Sequence, residues 1–126
     1  MFIINDDNSI YVNRGDILFF SVSAKDEDGT PHLFIPGDLL RIKVYGKKDA
    51  ENVALQKDFP VFEDTEEVEI YLSGEDTTIG EVISKPTDYW YEVELNPEGY
   101  AQTIIGYDED GAKVLKLYPE GGVINE

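Results

Sequence analysis

The feature that most limits the fold of this chain is the alternation of apolar and polar residues along several short segments. In residues 67–73, "EVEIYLS", Val68, Ile70 and Leu72 fall on one side and the intervening side chains fall on the other. Successive side chains of a β-strand point to opposite faces, so this spacing predicts a strand with one buried face. The same spacing recurs in residues 17–24, 39–47 and 88–95. Strands that are apolar on one face need a second layer to cover them.

Four further segments of strand-like composition supply that second layer, at 9–12, 53–59, 100–106 and 112–119. Between the segments stand turn-forming residues, namely Asp28-Gly29, Pro36-Gly37, Asn96 to Gly99, and Asp110-Gly111. One short helical turn is predicted at 73–81, where Ser73 and Asp76 have the spacing of a capping box. The chain is therefore predicted to be an all-β, single-domain, immunoglobulin-like antiparallel sandwich of about seven to nine strands.

The length of 126 residues fits one domain. At this size about two-thirds of the unfolded surface becomes buried, which is enough for a core without cross-links. We place the sandwich in residues 1–118 and expect residues 119–126, "PEGGVINE", to form a flexible tail. Cysteine is absent, which excludes disulfides and cysteine-ligated zinc. The first residues lack the basic and apolar regions of a signal peptide, so no export signal is expected.

The charge of the chain limits its partners. A formal net charge of −17 opposes binding to nucleic acid and to anionic membranes, because both are polyanions. No stretch has the roughly 18 apolar residues of a membrane span. Most of the acidic excess lies in residues 64–126, so either the partner is basic or the acidic side chains serve only to keep the protein in solution.

Residues 14–16, Arg-Gly-Asp, form the tripeptide that some extracellular ligands display to cell-surface receptors. Here they fall between two predicted strands, where Gly15 permits a turn and Asp16 can accept a hydrogen bond from the backbone. We therefore predict a structural role in a strand-entry turn, and no adhesion activity.

The order of strands and turns resembles the N-terminal domain of the phage baseplate upper protein family and related small tail proteins of phages and prophages of Gram-positive bacteria. The segments that carry the resemblance are "RGD" with the strand after it, "LLRIKVY", "VEIYLSGEDT", "YWYEVEL" and "AQTIIG". The matching positions are Gly15 and Asp16, Asp28 and Gly29, Leu72 with Asp76 and Thr77, Tyr89 and Tyr91 before Leu95, and Thr103 to Gly106. The resemblance implies an immunoglobulin-like sandwich that acts as an assembly module in the tail or baseplate, with other subunits as partners. It offers no catalytic residues.

No catalytic constellation is evident in the sequence, and we expect neither an enzyme nor a cofactor. His32 is the only histidine, so a histidine-based zinc site would lack partners. The acidic clusters at 26–28, 63–67 and 108–110 lack the ligand order of a calcium-binding EF-hand loop. Each of them is interpreted as the tip of a turn. An enzyme that uses these carboxylates is the weakest of the alternatives.

Aromatic residues predicted on the polar faces of strands are the candidates for a protein interface, because buried aromatic rings anchor many interfaces. These candidates are Phe19, Tyr45, Tyr71 and Trp90. The leading prediction is a structural module of the phage tail or baseplate, assembled in the host cytoplasm and located in the virion tail, with self-association as a further expectation. The alternative is a carbohydrate-binding sandwich, in which exposed rings and carboxylates contact sugars.

Overall fold

The computed structural model describes residues 1–46, 53–106 and 111–124. These ranges contain nine strands and no helix. The prediction of an all-β chain with seven to nine strands is thus confirmed. The strands are β1 (Phe2–Ile4), β2 (Ile10–Asn13), β3 (Leu18–Val22), β4 (Leu39–Tyr45), β5 (Val53–Pro60), β6 (Val68–Leu72), β7 (Thr87–Leu95), β8 (Gln102–Ile105) and β9 (Lys113–Tyr118).

The strands form two sheets, as a sandwich requires. One has seven strands in the order β1-β2-β9-β7-β4-β5, with β8 beside β7, and the other consists of β3 and β6. Strands β9 and β8 follow one another along the same edge of β7, since β9 pairs with residues 87–91 and β8 with residues 93–95. The described strands therefore divide into a large sheet and a small one.

One strand pair departs from the antiparallel prediction. Strand β2 runs parallel to β9, with Ile10 opposite Leu115 and Asn13 opposite Tyr118. Parallel neighbours need a long connection because the chain must return to the same end of the sheet. Here six described strands, β3 to β8, separate β2 from β9 along the chain, so the connection is long enough.

The core lies between the two sheets and includes the side chains that the alternation predicted to point inward. Val44 of β4, Ile70 of β6 and Val93 of β7 are each 0% exposed. Phe34 is also fully buried, although it belongs to the connection between β3 and β4 and was not predicted as core. Burial of such side chains stabilises a fold by about 1.5 to 3 kcal/mol each, so this cluster accounts for most of the driving force.

The predicted capping box at 73–76 is present, although it closes a single turn and starts no helix. Ser73 N donates to Asp76 Oδ2 at 2.9 Å, and Asp76 N donates to Ser73 Oγ at 3.2 Å. Other predicted turns also occur: Gly29 has a φ of 86° at the tip of a hairpin, and Gly99 N donates to the Asn96 carbonyl at 3.0 Å. Asp110, which belongs to the last predicted turn, lies outside the described residues.

The segment expected to be a tail contacts the β2–β3 turn over its described part, residues 119–124. Asn13 Nδ2 donates to the carbonyls of Pro119 and Gly122, both at 2.9 Å. Glu120 accepts a hydrogen bond from Arg14, and Ile124 is 8% exposed. Residues 119–124 therefore pack against the sandwich, which the sequence predicted to end at residue 118.

Candidate functional site

An exposed group of aromatic rings lies on the outer face of the small sheet. Phe19 of β3 is directly opposite Tyr71 of β6, and these side chains are 44% and 41% exposed. Directly opposite residues of an antiparallel pair project from the same face with their Cβ atoms about 5 Å apart. The ring of Phe2 from β1 packs edge-on against Phe19, with 5.1 Å between ring centroids. We call Phe2, Phe19 and Tyr71 the aromatic face.

Charged side chains border the aromatic face. The Nζ atom of Lys57 lies 5.8 Å from the centre of the Tyr71 ring and 2.6 Å from Asp76 Oδ2. Burial alone would raise the pKa of Asp76, but the hydrogen bonds from Lys57 and Ser73 more than offset it and the pKa is lowered. The carboxylate therefore stays ionised and holds the ammonium group beside the ring. The aromatic face thus has an apolar centre and a charged edge, which is the usual arrangement at protein interfaces.

The other two interface candidates lie together on the large sheet. Tyr45 of β4 is opposite Trp90 of β7 in the strand register, so their side chains share one face. Tyr45 is only 3% exposed and donates a hydrogen bond from its hydroxyl to Glu92 Oε1. Trp90 is half-buried and lines a narrow cavity with Tyr45 and Ala112. Tyr45 therefore lies on the predicted polar face but is buried there, where Trp90, Gly106 and Ala112 line the same cavity.

The Arg-Gly-Asp tripeptide belongs to the β2–β3 turn, and its arginine side chain is buried in the fold. The Arg14 side chain is 8% exposed, and its guanidinium donates to the carbonyls of Ile79 at 3.1 Å and Gly80 at 2.7 Å and to Glu120 at 2.5 Å. Gly15 has a φ of 89°, a conformation that other residues rarely adopt. Because the Arg14 side chain is buried and hydrogen-bonded, it is not accessible to a receptor. The predicted structural role in a turn is confirmed.

The one histidine belongs to a polar depression of about 360 Å³ beside the β3–β4 connection. His32 Nδ1 lies 2.7 Å from Asp26 Oδ1, an arrangement that orients the ring as in hydrolase triads. The side chains of Ser23 and Thr103 line the same depression. Over residues 1–46, 53–106 and 111–124, no hydroxyl group hydrogen-bonds to His32.

The acidic clusters do not converge into a cation site in the described part of the chain, where no group of three acidic or histidine side chains has suitable geometry. Asp28 instead accepts hydrogen bonds from Thr30, which lower the pKa of Asp28 and close the hairpin tip. The cluster at 108–110 falls outside the residues that the structure describes. Among the described residues, no helix is long and apolar enough to span a membrane.

Two strongly exposed aromatic side chains are not among the four interface candidates. Phe62 is 85% exposed and Tyr100 is 95% exposed, and both lie in connections between strands. The interface candidates were chosen from predicted strand faces, and that criterion leaves out residues in connections. A search for isolated apolar residues among turn-forming and acidic neighbours, such as "VFED" and "PEGYA", would have found both of them.

Comparisons with protein-family models, with curated proteins and with solved structures find no match to this chain. Its function is therefore inferred from the surface features above and from the resemblance in the sequence.

Proposed function

We propose that this chain is a non-enzymatic structural module of a phage or prophage tail or baseplate, and that it binds other tail or baseplate subunits through the aromatic face. The observation that carries the binding part of the proposal is the exposed pair Phe19 and Tyr71, from neighbouring strands of the small sheet. Burial of such rings drives protein association, and aromatic residues are enriched at the centres of interfaces. The phage assignment is supported by the sequence resemblance alone.

An immunoglobulin-like strand order is part of the proposal. In such sandwiches the B and E strands lie in one sheet and the C, F and G strands in the other, joined by C′ in variable-type domains. When β3 is taken as strand B, strands β4, β5, β6, β7 and β9 become C, C′, E, F and G. Each of them then falls in the sheet that this order requires.

The charge of the chain indicates the kind of subunit that fits. Two copies with a net charge of −17 repel each other, whereas a basic subunit is attracted and oriented by the same charges. The partner of the aromatic face is therefore a different, basic subunit of the tail, joined during assembly in the bacterial cytoplasm. Self-association is the rival arrangement, and sedimentation of the purified protein at increasing concentration distinguishes the two.

Immunogold electron microscopy of phage particles with an antibody against this chain tests the proposal. We expect gold at the distal end of the tail for the wild type. The double variant Phe19→Ser, Tyr71→Ser should fold but give particles without the label, because the apolar contact is lost. Val82→Ser, which removes an apolar side chain that is 82% exposed elsewhere, is the matched control and should label normally. Particles that never carry the chain would refute the phage assignment.

A carbohydrate-binding role is the second candidate, and one observation favours it. Tyr100 is 95% exposed beside the carboxylate of Glu98, at the edge of a shallow depression of about 390 Å³. An open ring next to a hydrogen-bond acceptor is what sugar stacking requires. Trp90, which the sequence favoured for this role, is half-buried. Binding on a glycan array that disappears in Tyr100→Ala would replace the leading proposal.

A further inference from the structure

Three connections between strands meet at one end of the sandwich. The first residue of β4, Leu39, is opposite Pro60, the last residue of β5, and Leu40 is opposite Leu95, the last residue of β7. The connections 23–38, 61–67 and 96–101 therefore meet the large sheet at the same end of its strands. We call this region, formed by those three connections, the loop end. It is separate from the aromatic face, since Phe19 lies next to the first residue of β3, at the other end of that strand.

Hydrogen bonds hold the connections of the loop end to each other and to the strands. Phe34 and Thr65 exchange two backbone hydrogen bonds, of 2.8 and 3.0 Å, which join the first connection to the second. Asn96 donates its backbone N–H to the Leu39 carbonyl at 2.8 Å, accepts from Leu39 N at 2.9 Å and donates from Nδ2 to Asp38 at 3.0 Å. A surface fixed in this way loses little conformational entropy when a partner binds.

Apolar side chains project from this fixed backbone into solvent. Leu33 and Ile35 are 47% and 48% exposed, and they flank the fully buried Phe34, so they point away from the core. Phe62 and Tyr100, at 85% and 95% exposed, come from the other two connections. The three connections thus place exposed apolar side chains at one end of the domain, and exposed apolar patches bordered by polar residues mark interaction sites. None of these four side chains contributes much to the core, so selection for stability does not explain their presence.

We propose that the loop end is a second binding surface, which takes a protein segment with apolar anchor residues flanked by lysine or arginine. Lys25 is the only lysine or arginine in the three connections, whereas they contain many acidic residues, including Asp28, Glu63, Asp64 and Glu66. Apolar anchors in an acidic surround are complementary to apolar anchors in a basic one. A second copy of the chain would place acidic loops against its own acidic surface and is therefore disfavoured. The inference goes beyond the proposed function, because it holds whether or not the aromatic face binds a tail subunit.

Selection from a displayed library of random 12-residue peptides tests the inference with a defined probe. We expect the enriched peptides to combine apolar residues with lysine or arginine. A synthetic copy of an enriched peptide should bind the double variant Phe62→Ser, Tyr100→Ser about 30-fold more weakly or worse, as expected for loss of anchor residues. Both side chains are largely exposed, so this variant should unfold at the same urea concentration as the wild type.

Two matched variants make the result specific. Val82→Ser removes an equally exposed apolar residue and should bind the peptide normally. Val82 lies in the connection after β6, and this connection leaves the small sheet at the end remote from the loop end. Phe19→Ser, Tyr71→Ser should also bind normally, which separates this surface from the aromatic face. The inference is overturned if no peptide is enriched, if enriched peptides are acidic, or if the loop-end variant binds as well as the controls. Glycan binding abolished by Tyr100→Ala without peptide enrichment would equally overturn it.

Discussion

Replacement of the buried guanidinium of Arg14 by an apolar side chain should be among the most destabilising single changes in this protein. Arg14→Met keeps most of the side-chain stem and removes the hydrogen bonds to the Ile79 and Gly80 carbonyls and to Glu120. Hydrogen bonds from a charged group contribute about 1.5 to 3 kcal/mol each. The Glu120 side chain is 55% exposed, so its ion pair is screened and contributes about 1 kcal/mol or less.

The two carbonyl bonds therefore dominate, and we expect the free energy of unfolding to fall by about 3 kcal/mol, counted from the low end of that range. A part of the gross value is lost because burial of the guanidinium itself costs desolvation energy. For a domain with a total stability of about 5 to 15 kcal/mol, this is a large fraction. The segment 79–80 should also become more mobile, since its anchor to the β2–β3 turn is gone.

Equilibrium unfolding in urea, followed by tryptophan fluorescence, measures the effect as a shift in midpoint at unchanged slope. Glu120→Gln should cost about 1 kcal/mol or less, and Lys85→Met, at an exposed position, should stay within about 0.5 kcal/mol of the wild type. The reasoning is refuted if Arg14→Met costs less than about 1 kcal/mol, or if Glu120→Gln costs as much as Arg14→Met. In the second case the ion pair, and not the carbonyl bonds, would hold the turn.

Two further predictions concern pH. The hydrogen bonds from Lys57 and from the Ser73 backbone N–H outweigh the effect of burial and keep the pKa of Asp76 below its ordinary value of 3.8. The contribution of this carboxylate to stability is therefore present above pH 3.8 and is lost as the pH falls below that value. Urea midpoints measured across this acidic range should drop less in Asp76→Asn than in the wild type, and equal drops would contradict the assignment. Burial, assisted by the charge of Asp7, raises the pKa of Tyr91 above its ordinary value of 10.0. The contribution of the neutral hydroxyl to stability is therefore complete below pH 10.0 and is lost as the pH rises from there through the raised pKa. Tyr91→Phe should be about 1 kcal/mol less stable than the wild type at neutral pH, because the hydrogen bond to the Asn8 carbonyl is removed. When the pH is raised above 10.0, the variant should lose less stability than the wild type. An alkaline loss of the same size in both proteins would show that another group is responsible.

Alternation along a strand was sufficient to predict which side chains form the core. Leu40, Ile42 and Val44 were predicted to face inward, and all three are fully buried. The reason is that one-sided burial makes the register of a strand unambiguous, because a slip of one residue would expose the entire apolar set. The capping box at Ser73 and Asp76 was equally predictable, since it depends only on residues three positions apart.

What covers the outer face of a strand could not be predicted, because it depends on residues far apart in the sequence. Tyr45 and Phe19 have the same place in their local patterns, yet Tyr45 is buried and Phe19 is exposed. Strand β7 lies beside β4 and brings Glu92 and Trp90 to Tyr45, whereas β3 has only β6 beside it. Phe34 shows the same limit, since its position between turn residues gives no sign that it fills the core.

The parallel pairing of β2 with β9 also affects the order of events in folding. Asn13 hydrogen-bonds to residues 106 and 109 positions further along the chain. Contacts over such separations carry a high loop-closure entropy and form late, so the large sheet stays incomplete until β9 has left the ribosome. Until then the partner edge of β2 is open to other chains. Crowded synthesis should therefore favour exchange of this strand between copies, and slower expression should reduce aggregation.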